Sequence, residues 1–169
     1  VLLILSIYFS ATETSITAAG KGKLLALSDE YPHRRKDFLW LVDNTAKAIN
    51  VTLIGNNLVN IASSAVATTL ALKLFGVLGP AIAVAIMTVL IVVFCEILPK
   101  NFAIAKKEGV LLFSLPFLTF FSTIMTPVTW SLRAVLKLFG KIAGMDLVSY
   151  SSLISRQEID HIVSESSAA

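Results

Sequence analysis

The chain has 169 residues and a formal net charge of +3, with 56% apolar residues and only 15% charged ones. Its mean hydropathy is +0.80. Soluble domains carry about a quarter charged residues, so an ordinary soluble fold is excluded. The shortage of charge excludes a disordered chain as well. A single cysteine, Cys95, rules out a disulfide framework and a cysteine-based zinc site.

Val1 to Thr12 is free of charge, and the chain opens on Val. There is no basic leader, and the polar stretch 10–17 is a poor cleavage site. The beginning is therefore read as the inside of a longer protein, with a first helix from Val1 or earlier to about Gly20. Residues 21–47 carry Lys21, Lys23, Arg34, Arg35, Lys36 and Lys47, which makes this connection cytoplasmic. His33-Arg34-Arg35-Lys36, lying beside a span, is a topology signal and a contact for anionic lipid rather than a nucleic-acid site. Asn50–Leu72 and Leu74–Cys95 are uncharged runs of 23 and 22 residues, each enough to cross a hydrocarbon core of about 30 Å. Turn chemistry at Phe75-Gly76-Val77-Leu78-Gly79-Pro80 joins them as a hairpin. Lys100, Lys106 and Lys107 return the chain to the cytoplasm.

Val110–Leu132 is a fourth uncharged run, but basic clusters flank it on both sides and Pro116 and Pro127 interrupt it. A re-entrant or interfacial hairpin is expected there. In residues 132–141, Arg133, Lys137 and Lys141 recur every four residues with Val and Leu between, the pattern of an amphipathic helix lying in the interface. The expected fold is thus an all-α integral membrane domain over residues 1–145. It has three transmembrane helices, a re-entrant or interfacial hairpin and an amphipathic juxtamembrane helix. The polar residues 146–169 begin a linker to a cytosolic region. The N-terminus lies outside and the C-terminus in the cytoplasm of a multi-pass protein of the cell membrane.

Polar side chains within spans cost free energy and are functional candidates by default. In the first span, Ser10, Thr14 and Thr17 share a face with Glu13 beside them. In the second, Asn56, Asn60, Ser63 and Ser64 cover one side. In the third, Glu96 follows a long apolar run, and Pro99, which has no N–H, frees the Cys95 carbonyl from the helix ladder. The plain alternative is that the hydroxyls bond their own helices and the amides hold helices together. Taken together these groups supply only oxygen, which suits Mg²⁺, Na⁺ or Ca²⁺ and disfavours zinc or copper. His33 and His161 lie outside the spans, and neither a His-Glu-x-x-His helix nor a Gly-x-Ser-x-Gly elbow is present, so an enzyme is not expected.

Three motifs occur in order: Phe9-Ser10-Ala11-Thr12-Glu13-Thr14, Gly55-Asn56-Asn57-Leu58-Val59-Asn60 and Glu96-Ile97-Leu98-Pro99-Lys100. Together they resemble the transmembrane domain of the CorC/CorB (cyclin M) family of magnesium transporters, over about residues 1–145. The resemblance implies a homodimer embedded in the bilayer that moves Mg²⁺ outward, with Na⁺ entry as the driving process. It carries the Mg²⁺ role onto Ser10, Asn60 and Glu96, with Asn56, Glu13 and the Cys95 carbonyl as further ligands. One departure stands out: the family usually has Gly before the Glu, where this chain has Cys95. The family's nucleotide-binding CBS modules would follow residue 169, so a nucleotide site is expected only there. The alternative reading is a membrane-embedded Mg²⁺ sensor or scaffold that binds the ion without moving it.

Overall fold

The computed structural model describes residues 1–125 together with 127, 130, 131 and 134, and every regular element among them is helical. Helix α1 spans Leu2–Glu30 but changes course at Gly20, whose φ of 65° and ψ of 169° lie outside helical geometry. A side chain at that φ is strained, so glycine marks where the apolar limb ends and a polar limb carrying Lys21 and Lys23 begins. Pro32–Arg34 forms one 3₁₀ turn, and the short helix α2, Arg35–Asp43, follows. Its amphipathic pattern buries Phe38 and Leu41 completely.

Helix α3 runs Thr45–Phe75, longer at both ends than its uncharged core. Gly76, at φ 59°, reverses the chain through the turn Gly76–Leu78 into α4, Gly79–Val89, with Pro80 in its first turn. Proline is at home there because the first helical N–H groups have no internal partner. Gly79 lets the two limbs close up, since a Cβ on it would collide with the Ala71 carbonyl. The third span does not stop at Pro99: α4 continues through a π-helical segment, Leu90–Ile97, into α5, Leu98–Ala105. Only Lys106 separates α5 from α6, Lys107–Ile124.

Among the described residues, three stretches are long and apolar enough to cross a membrane: Leu2–Glu30, Thr45–Ala105 and Lys107–Ile124. The middle one has 61 residues and folds back at Gly76, so it supplies the two limbs α3 and α4–α5. With α1, these limbs are the three spans read from the sequence. α6 is one continuous helix through Pro116. Its 18 residues rise about 27 Å, within the length range of a membrane-crossing helix. The return limb of a hairpin at 110–132 falls largely outside the described residues. So do most of the juxtamembrane helix 132–141 and all of the linker 146–169.

Val1–Thr123 form one compact unit in which α1 is central: α2, α3, the π segment and α5 all pack on it. Tyr8 ties it to α6 by donating its hydroxyl to the Ser114 carbonyl at 2.9 Å. Phe9 packs edge-on against Tyr8 and Phe121. In the unit that begins at Ile124, the Ser131 hydroxyl donates to the Pro127 carbonyl at 3.0 Å.

Candidate functional site

The contact of α1 with α3 is set by size. Phe9 is almost fully buried, and its ring lies over Gly55 so closely that a Cβ there would stand 2.7 Å from the ring. Gly55 has ordinary helical geometry; it is therefore a seat for Phe9 rather than a bend. Lipid tails are as apolar as side chains, so close approach over small residues, rather than the hydrophobic effect, holds such helices together.

Three residues before Phe9, Ser6 meets the amides of α3. Its hydroxyl lies 2.8 Å from Asn56 Oδ1 and 2.6 Å from Asn60 Oδ1. Ser6 has one proton to give, so two amide oxygens converge on a single donor. From the other side, the buried Cys95 approaches Ser6, and its thiol reaches the Leu3 carbonyl at 3.8 Å. Ser6 on α1 is thus approached by Asn56 and Asn60 from α3 and by Cys95 from the π segment. The sequence pointed to three of the four. Ser6 escaped notice because the polar window seemed to begin at Ser10, yet it stands four residues earlier on the same helical face.

The structure separates two classes of hydroxyl. Thr12, Thr17, Thr52, Thr69 and Thr88 each donate to a carbonyl of their own helix three or four residues back, as the plain reading requires. Ser10, Ser15 and Ser63 do not: their buried Oγ atoms have no partner among the described residues. Ser10 lies one turn along α1 from Ser6, and Ser63 lies one turn along α3 from Asn60. Because the two helices are antiparallel (Phe9 against Gly55, Ser6 against Asn56 and Asn60), these serines flank the amide cluster on opposite sides. An interhelical hydrogen bond in a membrane contributes on average about 0.6 kcal/mol. An unsatisfied buried polar group costs about 1–3 kcal/mol. Helix glue at Ser6 therefore does not account for the burial of these three serines.

The π segment explains the third patch. Leu98 N–H bonds to the Val93 carbonyl five residues back, and Pro99 has no N–H. The Phe94 carbonyl thereby loses both of its helical donors, and Cys95 loses its donor four residues on. The Cys95 carbonyl retains the Lys100 N–H, five residues on, as a π-type candidate donor, so the oxygen left without a helical donor is that of Phe94, one residue before the one the sequence pointed to. π-Bulges of this kind recur at functional sites. Glu96 and Lys100 are half-buried, and neither side chain makes an ion pair or hydrogen bond among the described residues. The simple pairing of Glu96 with Lys100 is therefore not formed. Glu13 is likewise half-buried, one turn beyond Ser10, and makes no ion pair among the described residues.

Among the described residues no three His, Cys, Asp or Glu side chains gather where they could hold a metal. What gathers is neutral oxygen, with the carboxylate of Glu96 next to Cys95 in sequence. At the far end of α1, Lys23 and Glu108 form an ion pair at 2.7 Å, and Lys107 Nζ donates to the Ala18 carbonyl at 3.2 Å. These contacts brace the bend at Gly20 against the start of α6.

A family model for the cyclin M transmembrane N-terminal domain matches residues 1–169. A UPF0053 protein of Haemophilus influenzae is 36% identical over the whole chain, which covers 40% of that protein. The UPF0053 inner membrane protein YfjD of Escherichia coli is 34% identical over 96% of the chain, covering 38% of its own length. A chloroplastic DUF21 domain-containing protein of Arabidopsis thaliana is 34% identical over 83% of the chain and 22% of its own length. The chain thus spans well under half of these relatives. With its helical hairpin, its apolar spans and a match over its full length, this multi-pass membrane protein belongs to the cyclin M transmembrane domain family.

Proposed function

We propose that the protein moves Mg²⁺ out of the cell in exchange for Na⁺, through an oxygen-lined passage between α1, α3 and the π segment. The observation that carries this reading is the pair of amide oxygens of Asn56 and Asn60 converging on the single proton of Ser6. Two acceptors for one donor suit a hard cation better than a packing contact. Ser10, with its unpartnered Oγ, and the unpaired carboxylate of Glu96 extend the donor set, and Glu96 supplies formal charge. The freed carbonyl of Phe94 and the Cys95 carbonyl beside it are the candidate backbone oxygens, and Glu13 is the candidate ligand for Na⁺.

Mg²⁺ gives up its water reluctantly and demands octahedral oxygen. A neutral amide–hydroxyl cluster suits an ion that keeps several waters, because amides and hydroxyls hydrogen-bond to coordinated water as readily as they ligate directly. Charge from one carboxylate lowers the cost of entering the span without trapping the ion. In this reading the N-terminus lies outside, α6 is re-entrant, and two copies of the chain form a dimer.

The test is Mg²⁺ flux in liposomes containing the protein, with and without a Na⁺ gradient, for wild type and Glu96→Gln. Gradient-dependent flux that Glu96→Gln abolishes supports exchange. Mg²⁺ binding without flux would replace it with a sensor or scaffold, and equal flux from both proteins would put the ion elsewhere.

A further inference from the structure

The opposite flank of α1 holds a different kind of site. Between α1, the π segment with α5, and α6 lies a groove of about 750 Å³. One wall is a stripe at four-residue spacing, Phe94, Leu98, Phe102 and Lys106; Tyr8 and Phe113 face it from α1 and α6. Twelve residues of helix make the stripe about 18 Å long, a little more than one leaflet of the hydrocarbon core at about 15 Å. The stripe is apolar until its last member. There, at the corner between α5 and α6, Lys106 is exposed and makes no ion pair or hydrogen bond among the described residues.

We infer that this groove holds one acyl chain of an anionic phospholipid, with the lipid phosphate on Lys106. Three features select that occupant: a leaflet's length, an apolar lining and a single unpaired cation at one end. A helix from a partner protein would need a broader trough and would leave Lys106 facing hydrocarbon or an apolar neighbour. The groove shares a wall with the ion cluster, since Phe94 lines it while the adjacent Cys95 faces Ser6. A bound acyl chain therefore rests against the same π segment that borders the oxygen site.

The test reads binding alone and does not depend on transport. Phe113→Trp, in a background with Trp40→Phe and Trp130→Phe, places one fluorophore in the groove. The protein is reconstituted in phosphatidylcholine bilayers containing dibrominated phosphatidylglycerol or dibrominated phosphatidylcholine as quencher. One lysine–phosphate contact at a membrane surface supports about a fivefold preference for the anionic quencher. Lys106→Gln is expected to bring the two quenchers to parity. Gly109→Leu is expected to abolish quenching by filling the groove; a Cβ at Gly109 meets nothing within 4 Å, so the variant has room to fold. Equal quenching by both lipids in the parent protein, or a preference that survives Lys106→Gln, overturns the assignment. So does the absence of quenching by either lipid, which would mean that another segment of the chain or a second copy covers the groove.

Discussion

The two flanks of α1 differ in chemistry and in closeness. Toward α3, Phe9 is pressed onto Gly55 and Ser6 onto two amides, leaving no room for even one added carbon at Gly55. Toward α5 and α6, the same helix borders an open apolar groove. The contrast follows from what each flank has to work with in a membrane. Small residues and polar groups draw helices together, whereas Ile, Leu and Phe gain little by leaving lipid for one another. The tight flank is accordingly where an ion can be held in fixed geometry, and the loose flank is where lipid can enter.

The largest expected break in this contrast comes from Gly55→Val, which drives carbon into the Phe9 ring. A loss of about 1–3 kcal/mol in unfolding free energy is expected, read from denaturation in detergent. Adding Phe9→Ala should recover part of it, because the two positions are in contact and their effects do not add. Independent, additive losses would mean that the Phe9–Gly55 contact is not what holds α1 to α3.

A smaller effect separates the two classes of hydroxyl. Ser10→Ala removes a buried group without a partner and should raise stability by about 1 kcal/mol while weakening Mg²⁺ binding. Thr12→Val removes a hydroxyl already bonded to the Tyr8 carbonyl and should leave ion binding unchanged. If Ser10→Ala destabilises the protein and spares ion binding, Ser10 is a packing residue after all.

These serines mark how far the sequence could be read. The spans, the hairpin and the polar positions 56, 60, 95 and 96 were legible because a membrane permits few alternatives: apolar length fixes spans, and polar residues within them stand out. What could not be read was which hydroxyl pairs with which amide. Ser6 and Ser10 share one face of α1, and only the antiparallel register set by Phe9 on Gly55 puts Ser6, not Ser10, against Asn56 and Asn60. The π segment was hidden for a related reason. Pro99 announces a lost hydrogen bond, but whether the helix kinks, ends or widens depends on its neighbours, and here it widens and continues to Ala105. The groove left no trace because its lining is ordinary span sequence.

The smallest effect is expected at the brace. Glu108→Gln breaks the ion pair with Lys23, but both side chains are over a third exposed. Exposed pairs contribute little and are screened by salt. The variant should unfold almost as the parent does at low salt and indistinguishably from it at high salt. A large loss, insensitive to salt, would show that the bend at Gly20 depends on that contact.

The central claim is that the amide pair on α3 holds a cation, and it is tested most directly by calorimetric Mg²⁺ titration of the protein and of Asn60→Leu. Leucine keeps the volume and removes the oxygen. The account predicts saturable binding to the parent and a loss of at least about tenfold in Asn60→Leu, since even groups that merely orient ligands cost that much when removed. Equal affinity in the two proteins would contradict it, and the convergence of Asn56 and Asn60 on Ser6 would then be a packing contact.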